Sequence, residues 1–143
     1  FHIFDSFEGL SVSTKEDGSY YNQSQEYQKN LIDHFKSSEE FLKKEVLNDF
    51  EFVKIYKGWI PKRFNEVKDK KFSFIHIDLD LHKPITDTLE FFYPKLVKGG
   101  IIICDDYNSS QFPGAKRAWD EFFKDKNNEF FYEQSFGGCF IIK

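Results

Sequence analysis

Two short apolar runs in this chain each end in a pair of aspartates. The run FSFIHIDLD ends in Asp78 and Asp80, and the run IIICDD ends in Asp105 and Asp106. Continuous apolar runs of this length are typical of strands buried inside a parallel sheet. Because a buried carboxylate is costly unless it is paired, strands that deliver four of them indicate a cation among the aspartates.

Apolar runs alternate with amphipathic segments along the whole chain, and this alternation predicts the fold class. Strands that alternate with helices form a mostly parallel α/β sheet with helices on both faces. The last segment, EFFYEQSFGGCFIIK, instead predicts an antiparallel hairpin joined through Gly137 and Gly138. Ligands of such sheets bind outside the carboxyl ends of the strands. That edge of the sheet is predicted to carry Asp5, Asp78, Asp80, Asp105 and Asp106.

Local sequence patterns predict the structure of three segments between the strands. The segment VSTKEDGSYYNQ is polar and rich in turn residues, which predicts a loop or a mobile lid. Tyr27, Leu31 and Phe35 lie at helical spacing and predict an apolar stripe on one helix. The sequence KGG, after the helix that contains Ile85, predicts a glycine cap at the end of that helix.

Charge and composition exclude several classes of partner. The formal net charge is -4 and the lysines are interspersed with glutamates, so the sequence has no basic patch of the kind that binds nucleic acid. No apolar run approaches the length of a membrane span, so we expect no membrane partner. Cys104 and Cys139 lie in predicted strands without metal or redox spacing, which favours buried, reduced thiols and a cytoplasmic protein.

The aspartates at the strand ends fit a hard cation such as Mg2+ or Ca2+, which takes oxygen ligands. Asp78 and the pair Asp105 and Asp106 are the candidate ligands, whereas Asp80 can be a ligand, a general base or a helix cap. Zinc is disfavoured, because the sequence has no cluster of cysteines or histidines. The structural alternative is that an aspartate after a strand caps a helix or makes a turn. His76, inside the apolar run, is expected to be a core residue.

Four further residues are candidates for contact with a nucleotide-like cofactor or with a substrate. Asp5 closes the first strand, as does the acidic residue that binds ribose hydroxyls in nucleotide-binding sheets. Gly58 and Trp59 close the next strand. Gly58 can allow the backbone to approach a purine closely and Trp59 can stack on it, although such a tryptophan can equally be a core residue. His82 lies just past a strand and is the better placed histidine for touching a substrate.

Five motifs of the chain agree in order and spacing with a known family. They are FDSFEGL, YKGWIPKRF, FSFIHIDLDL, TLEFFYPKLVKGGIIICDDY and FPGAKRAWDEFF. Over nearly its whole length the chain resembles the macrocin O-methyltransferase family, whose members use S-adenosylmethionine (SAM) to methylate sugars of natural products. The resemblance implies a Rossmann-like class I methyltransferase fold, Mg2+ as the metal, and a hydroxyl of a sugar or related small molecule as the acceptor.

The resemblance also implies roles for residues at matching positions. Asp80 is implied as the general base that takes the proton of the acceptor hydroxyl. The family commonly has tyrosine where this chain has His82, and often threonine where it has Ile85, which leaves the acceptor's identity open. The implied metal ligands are Asp78, Asp105 and Asp106, and the implied cofactor site includes Asp5, Ser6, Gly58 and Trp59.

The family begins with a strand and a glycine-bearing loop that have no counterpart before Phe1. We therefore expect residues 1–143 to form a single, partial methyltransferase domain that lacks its first central strand. That strand would lie between the strands that end at Asp5 and Asp78. A homo-oligomer is expected, in which a partner can fill the slot by strand exchange.

Two other functions fit part of the pattern. The sequence DLD after an apolar strand also fits the Asp-x-Asp site of a metal-dependent glycosyltransferase, but the second pair, Asp105 and Asp106, favours methyl transfer. A methyltransferase-like remnant without catalysis is the other alternative.

Overall fold

The computed structural model describes residues 1–48, 50–126, 130–135 and 137–143. The chain forms two compact units. The first unit consists of Phe1–Leu10 and Ser24–Lys68, and the second unit consists of Ser11–Gln23 and Asp69–Lys143. No helix among the described residues is long and apolar enough to cross a membrane.

The first unit contains a two-stranded parallel sheet. Asp5 and Lys57, the last residues of its two strands, are opposite each other in the register. The serines before the two α-helices act as N-caps, since Ser24 Oγ accepts the Tyr27 N–H and Ser38 Oγ accepts the Phe41 N–H. The elements are β1 (His2–Asp5), α1 (Gln25–His34), α2 (Glu39–Phe41) with a π-helical continuation (Leu42–Val46), β2 (Lys54–Lys57) and a 3-10 helix (Lys62–Val67).

The helix predicted around Tyr27, Leu31 and Phe35 is present as α1, which ends just before Phe35. Its apolar stripe is not buried: Tyr27 is 41% exposed and Phe35 is 43% exposed. The spacing therefore predicted the helix, but not the extent to which its apolar side chains are covered.

The second unit contains a four-stranded sheet in the order β3-β4-β6-β5. β3 and β4 are parallel, while β6 pairs antiparallel with both β4 and β5. The antiparallel hairpin predicted at the end of the chain is therefore confirmed. The elements are a 3-10 helix (Lys15–Asp17), β3 (Phe72–Ile77), α3 (His82–Phe92), a second 3-10 helix (Tyr93–Lys95), β4 (Leu96–Cys104), α4 (Pro113–Phe123), β5 (Phe130–Glu133) and β6 (Cys139–Ile142).

The core of the second unit lies on one face of this sheet. Side chains of β3 alternate, so that Ile75 and Ile77 are buried while Phe74 and His76 are exposed. The buried side chains meet α3, which also packs against α4. The expectation that His76 is a core residue is wrong, because the pleat of β3 turns it to the exposed face. The fully buried core of this unit includes Leu81, Ile85, Leu89, Ile102, Trp119 and Ile141.

The glycine cap predicted at KGG is also wrong. α3 ends at Phe92, a 3-10 helix containing Pro94 follows, and β4 already begins at Leu96. Proline has no N–H to continue the helical hydrogen bonds, which explains the early end of the helix. Gly99 lies inside β4 with a φ of 78°, a conformation that favours glycine.

The cysteines agree with the prediction. Cys104 and Cys139 are buried, free thiols, and they lie opposite each other in the pairing of β4 with β6.

Among the strands that the structure describes, β1 pairs with β2 in one sheet, and β3 is an edge strand of the other sheet. The central strand expected between β1 and β3 is not one of them and stays a prediction, as does the single domain.

Candidate metal site

The turn between β3 and α3 carries Asp78 and Asp80. Asp80 has a φ of 59°, in the left-handed region, which costs a residue with a side chain about 1–2 kcal/mol. The Asp80 N–H donates to Asp106 Oδ2 over 3.0 Å, and the Leu81 N–H donates to the Leu79 carbonyl over 2.5 Å. These two hydrogen bonds stabilise the turn in this conformation.

The turn after β4 carries Asp105 and Asp106. The Asp105 N–H donates to the Ile77 carbonyl over 2.9 Å, which extends the pairing of β3 with β4 by one step. The next residue, Tyr107, is buried, and its hydroxyl donates to Asp120 Oδ1 of α4 over 2.7 Å. The turn is therefore fixed to the sheet on one side and to α4 on the other.

These two turns bring three carboxylates together. One carboxylate oxygen each of Asp78, Asp80 and Asp106 lies within 4.8 Å of the others. We call this group the acidic cluster. Asp80 is only 7% exposed, whereas Asp78 reaches solvent.

Burial, together with the neighbouring carboxylates of Asp106 and Asp78, raises the pKa of Asp80 to about 8. Burial is also the main reason why the pKa of Asp106 is raised. Near neutral pH and without a cation, the cluster therefore retains a proton. A divalent cation would remove the need for that proton, because it supplies the missing positive charge.

The donor set of the acidic cluster fits Mg2+. Its three candidate ligand atoms are all carboxylate oxygens, which a hard cation prefers, and they are close enough to share one ion. Asp78 is exposed, so that water or a substrate hydroxyl can reach the acidic cluster from this side. The cluster can therefore hold a hard cation and take up a proton within the same few ångströms.

Asp105 lies outside the acidic cluster. Its side chain is 64% exposed, and its Oδ1 lies 3.7 Å from His76 Nε2 on β3. The structure thus joins two of the three predicted ligands, Asp78 and Asp106, to the predicted base Asp80. The assignment of Asp105 as a ligand stays a prediction.

His82 begins α3, two residues after Asp80, and its imidazole is fixed by α4. Its Nε2 lies 3.0 Å from Glu121 Oε2, and Glu121 Oε1 accepts the Arg117 Nε–H over 2.8 Å. The sequence did not indicate Glu121 as a partner of His82. The spacing of Arg117 and Glu121 does predict a pair on one face of a helix, but not that this face meets α3.

The predicted cofactor residues lie in the first unit. The Gly58 N–H donates to the Asp5 carbonyl over 2.9 Å, which places these two residues together at the carboxyl ends of β1 and β2. Asp5 Oδ1 accepts the Phe7 N–H over 2.7 Å. Ser6, next to Asp5, is buried, and Trp59, next to Gly58, is half-buried. Their roles in cofactor binding stay predictions.

Comparison with known proteins identifies the family. The sequence profile described as Macrocin-O-methyltransferase (TylF) matches residues 1–130. The chain belongs to this family. The membership predicted from the five motifs is thereby confirmed. No curated protein sequence matches the chain at a significant level.

Solved structures confirm the fold. The O-methyltransferase NovP is 24% identical and aligns with 99% of this chain and 59% of its own, with a TM-score of 0.72. CalS11, a calicheamicin methyltransferase, is 17% identical, with the same coverages and a TM-score of 0.63. An O-methyltransferase from Bacillus cereus in complex with SAH is 17% identical and aligns with 99% of this chain and 74% of its own, with a TM-score of 0.54.

These likenesses establish the class I O-methyltransferase fold of this family member. Its described sheets contain two parallel strand pairs, β1 with β2 and β3 with β4, and antiparallel strands at the end of the chain. This chain spans about three fifths of the length of NovP and CalS11.

Proposed function

We propose that this protein is a SAM-dependent, Mg2+-dependent O-methyltransferase that acts on a hydroxyl of a sugar or a related small molecule. The observation that carries the proposal is the acidic cluster at adjacent strand ends, in a chain of the macrocin O-methyltransferase family. A sugar acceptor is supported by the neighbours, since one CalS11 structure is described as a TDP-rhamnose 3'-O-methyltransferase.

The acidic cluster provides both binding and proton transfer in this proposal. A bound Mg2+ ion supplies Lewis acidity, which lowers the pKa of an alcohol beside it. Asp78 and Asp106 hold the ion, with Asp105 as the further ligand predicted from the sequence. Asp80 takes the proton of the acceptor hydroxyl, so that the hydroxyl oxygen can attack the methyl carbon of the SAM sulfonium. The new O–CH3 bond forms as the S–CH3 bond breaks, and SAH leaves as a neutral thioether.

The remaining predicted residues orient the two substrates. Asp5 accepts hydrogen bonds from the ribose hydroxyls of SAM, with Ser6 beside it, while Gly58 and Trp59 border the same site. His82 contacts the acceptor, and Glu121 fixes the orientation of its imidazole. A fixed imidazole favours one acceptor geometry, which is how positioning contributes to the rate.

The test is a methyl-transfer assay on the full-length protein with labelled SAM and a panel of nucleotide-linked deoxysugars. We expect transfer to a sugar hydroxyl that stops with EDTA and returns with Mg2+. SAH should bind in calorimetry. Methyl transfer that is unaffected by EDTA would contradict the role of the metal. A protein that binds a uridine diphosphate sugar but does not bind SAH would favour a glycosyltransferase. Failure to bind SAH and to turn over any acceptor would favour a non-catalytic remnant.

The homo-oligomer and the cytoplasmic location expected from the sequence also stay predictions. β5 forms one edge of the sheet in the second unit, and its aromatic residues Phe130, Phe131 and Tyr132 are exposed. Exposed aromatics on an edge strand are compatible with association between chains.

A further inference from the structure

We propose that Asp17 is a positioning residue that holds Asp80 in the acidic cluster. The proposal rests on the metal-dependent function above. Asp17 lies in the polar segment that the sequence predicted to be a loop or a mobile lid, yet its side chain is buried at 1% exposure. Tyr20 in the same segment is also buried, and its ring packs edge-on against Phe112 at a centroid distance of 5.2 Å. The segment is thus a packed part of the second unit.

Both carboxylate oxygens of Asp17 accept hydrogen bonds. Oδ1 accepts the His82 N–H over 2.7 Å, and Oδ2 accepts the Thr14 N–H over 2.7 Å and the Thr14 hydroxyl over 3.3 Å. A carboxylate that is occupied in this way is not free to act as a metal ligand or a base. Its role is to join two parts of the chain that lie 65 residues apart.

The bond to His82 replaces a missing helix cap. The N–H groups in the first turn of a helix have no partner within the helix, and a polar side chain at the N-cap normally accepts one of them. In α3 the N-cap residue is Leu81, whose apolar side chain cannot accept. Asp17 accepts the His82 N–H instead, and its negative charge suits the positive end of the helix.

Asp80 is held between two such bonds. On one side its own N–H donates to Asp106 Oδ2, and on the other side the His82 N–H donates to Asp17. A positive φ at a residue with a side chain persists only where the surroundings enforce it. The bond to Asp106 comes from within the acidic cluster and the bond from Leu81 to Leu79 comes from within the turn, so Asp17 is an anchor from a distant segment. Without Asp17 the turn can relax, which moves the Asp80 carboxylate away from Asp78 and Asp106.

The position of Asp17 is itself fixed by α4. A methyl group at Gly114, in the first turn of α4, would collide with the Asp17 side chain. Glycine at this position therefore provides the space that the buried carboxylate occupies. The contacts to α3 and α4 together leave Asp17 little freedom to move.

The test compares Asp17→Ala with Asp17→Asn in the full-length protein. Alanine removes the acceptor for the His82 N–H, whereas asparagine keeps an oxygen at that position. We expect Asp17→Ala to weaken Mn2+ binding by about 10- to 100-fold, the usual effect of losing a group that orients a ligand. It should lower kcat more than it changes KM for the acceptor, and it should speed hydrogen exchange at the His82 amide. Asp17→Asn should recover most of the Mn2+ affinity.

Tyr20→Leu is the matched control. It removes a buried ring from the same segment and lowers thermal stability, but it leaves the bond between Asp17 and His82 in place. Its Mn2+ affinity should equal that of the wild type. The inference fails, while the proposed function stands, if Asp17→Ala binds Mn2+ as the wild type does, or if Tyr20→Leu weakens binding equally. A wild-type protein that binds no Mn2+ would overturn the proposed function and the inference together.

Discussion

Asp80→Asn should remove most of the methyl-transfer activity and, at the same time, stabilise the metal-free protein. The activity falls because asparagine cannot take the proton of the acceptor hydroxyl, and loss of a general base typically costs about 10²- to 10⁴-fold in rate. The stability rises because asparagine has nearly the same shape but carries no charge into a buried site beside two other carboxylates.

The raised pKa of Asp80 determines how the stability of the metal-free protein changes with pH. The pKa of Asp80 is about 8 in the folded protein, whereas an aspartate in an unfolded chain has a pKa of about 4. Between these values the folded state binds more protons than the unfolded state, so the free energy of unfolding falls as the pH rises. In EDTA, the free energy of unfolding of Asp80→Asn should therefore be about 1–3 kcal/mol higher than that of the wild type at pH 8. At pH 4 the two free energies should differ little.

Urea unfolding at the two pH values measures this difference. Asp69→Asn is the control, because Asp69 is an exposed aspartate outside the acidic cluster, and its replacement should change neither stability nor activity. A variant at Asp80 that is no more stable than the wild type at pH 8 would show that neither burial nor the neighbouring carboxylates disfavour the charged form of Asp80. Full activity in that variant would remove Asp80 from the mechanism.

Asp106→Asn and Asp105→Asn should differ although the two residues are adjacent. Asp106 belongs to the acidic cluster, while Asp105 is largely exposed and lies beside His76. We expect Asp106→Asn to lower Mg2+ affinity by at least about 100-fold, since losing a ligand costs no less than losing a group that orients one. Asp105→Asn should lower the affinity by a smaller factor.

Isothermal titration of each full-length variant with Mg2+ separates these outcomes. A single cooperative thermal unfolding transition in EDTA serves as the folding control for both variants. An equal or larger loss in Asp105→Asn would restore the ligand set that the sequence predicted. Unchanged affinity in Asp106→Asn would mean that the ion binds elsewhere.

The sequence indicated a candidate site at one sheet edge because the placement of these aspartates depends on local patterns. An apolar run fixes where a strand ends, and parallel strands end at the same edge of a sheet, so Asp78, Asp80, Asp105 and Asp106 could all be assigned to one edge. The roles within that set depend on finer geometry. Asp80 has a left-handed φ and its carboxylate lies beside those of Asp78 and Asp106 in the acidic cluster, whereas Asp105 lies outside that cluster. Neither feature has a signature in the sequence.

Contacts between segments that are distant in the sequence could not be predicted either. The segment that contains Asp17 is polar, and its polarity and turn residues predicted a loop or a mobile lid, because nothing near it in sequence reveals a partner 65 residues away. The helix end at Phe92 was missed for a different reason. Two signals competed there, Pro94 and the later glycines, and the proline acts first along the chain.

The proposed metal site is tested most directly by a crystal of the full-length protein grown with Mn2+, in which anomalous diffraction locates the ion. We predict one anomalous peak among the carboxylates of Asp78, Asp80 and Asp106. A crystal that contains Mn2+ only at other positions, with these three carboxylates turned away from one another, would contradict this prediction.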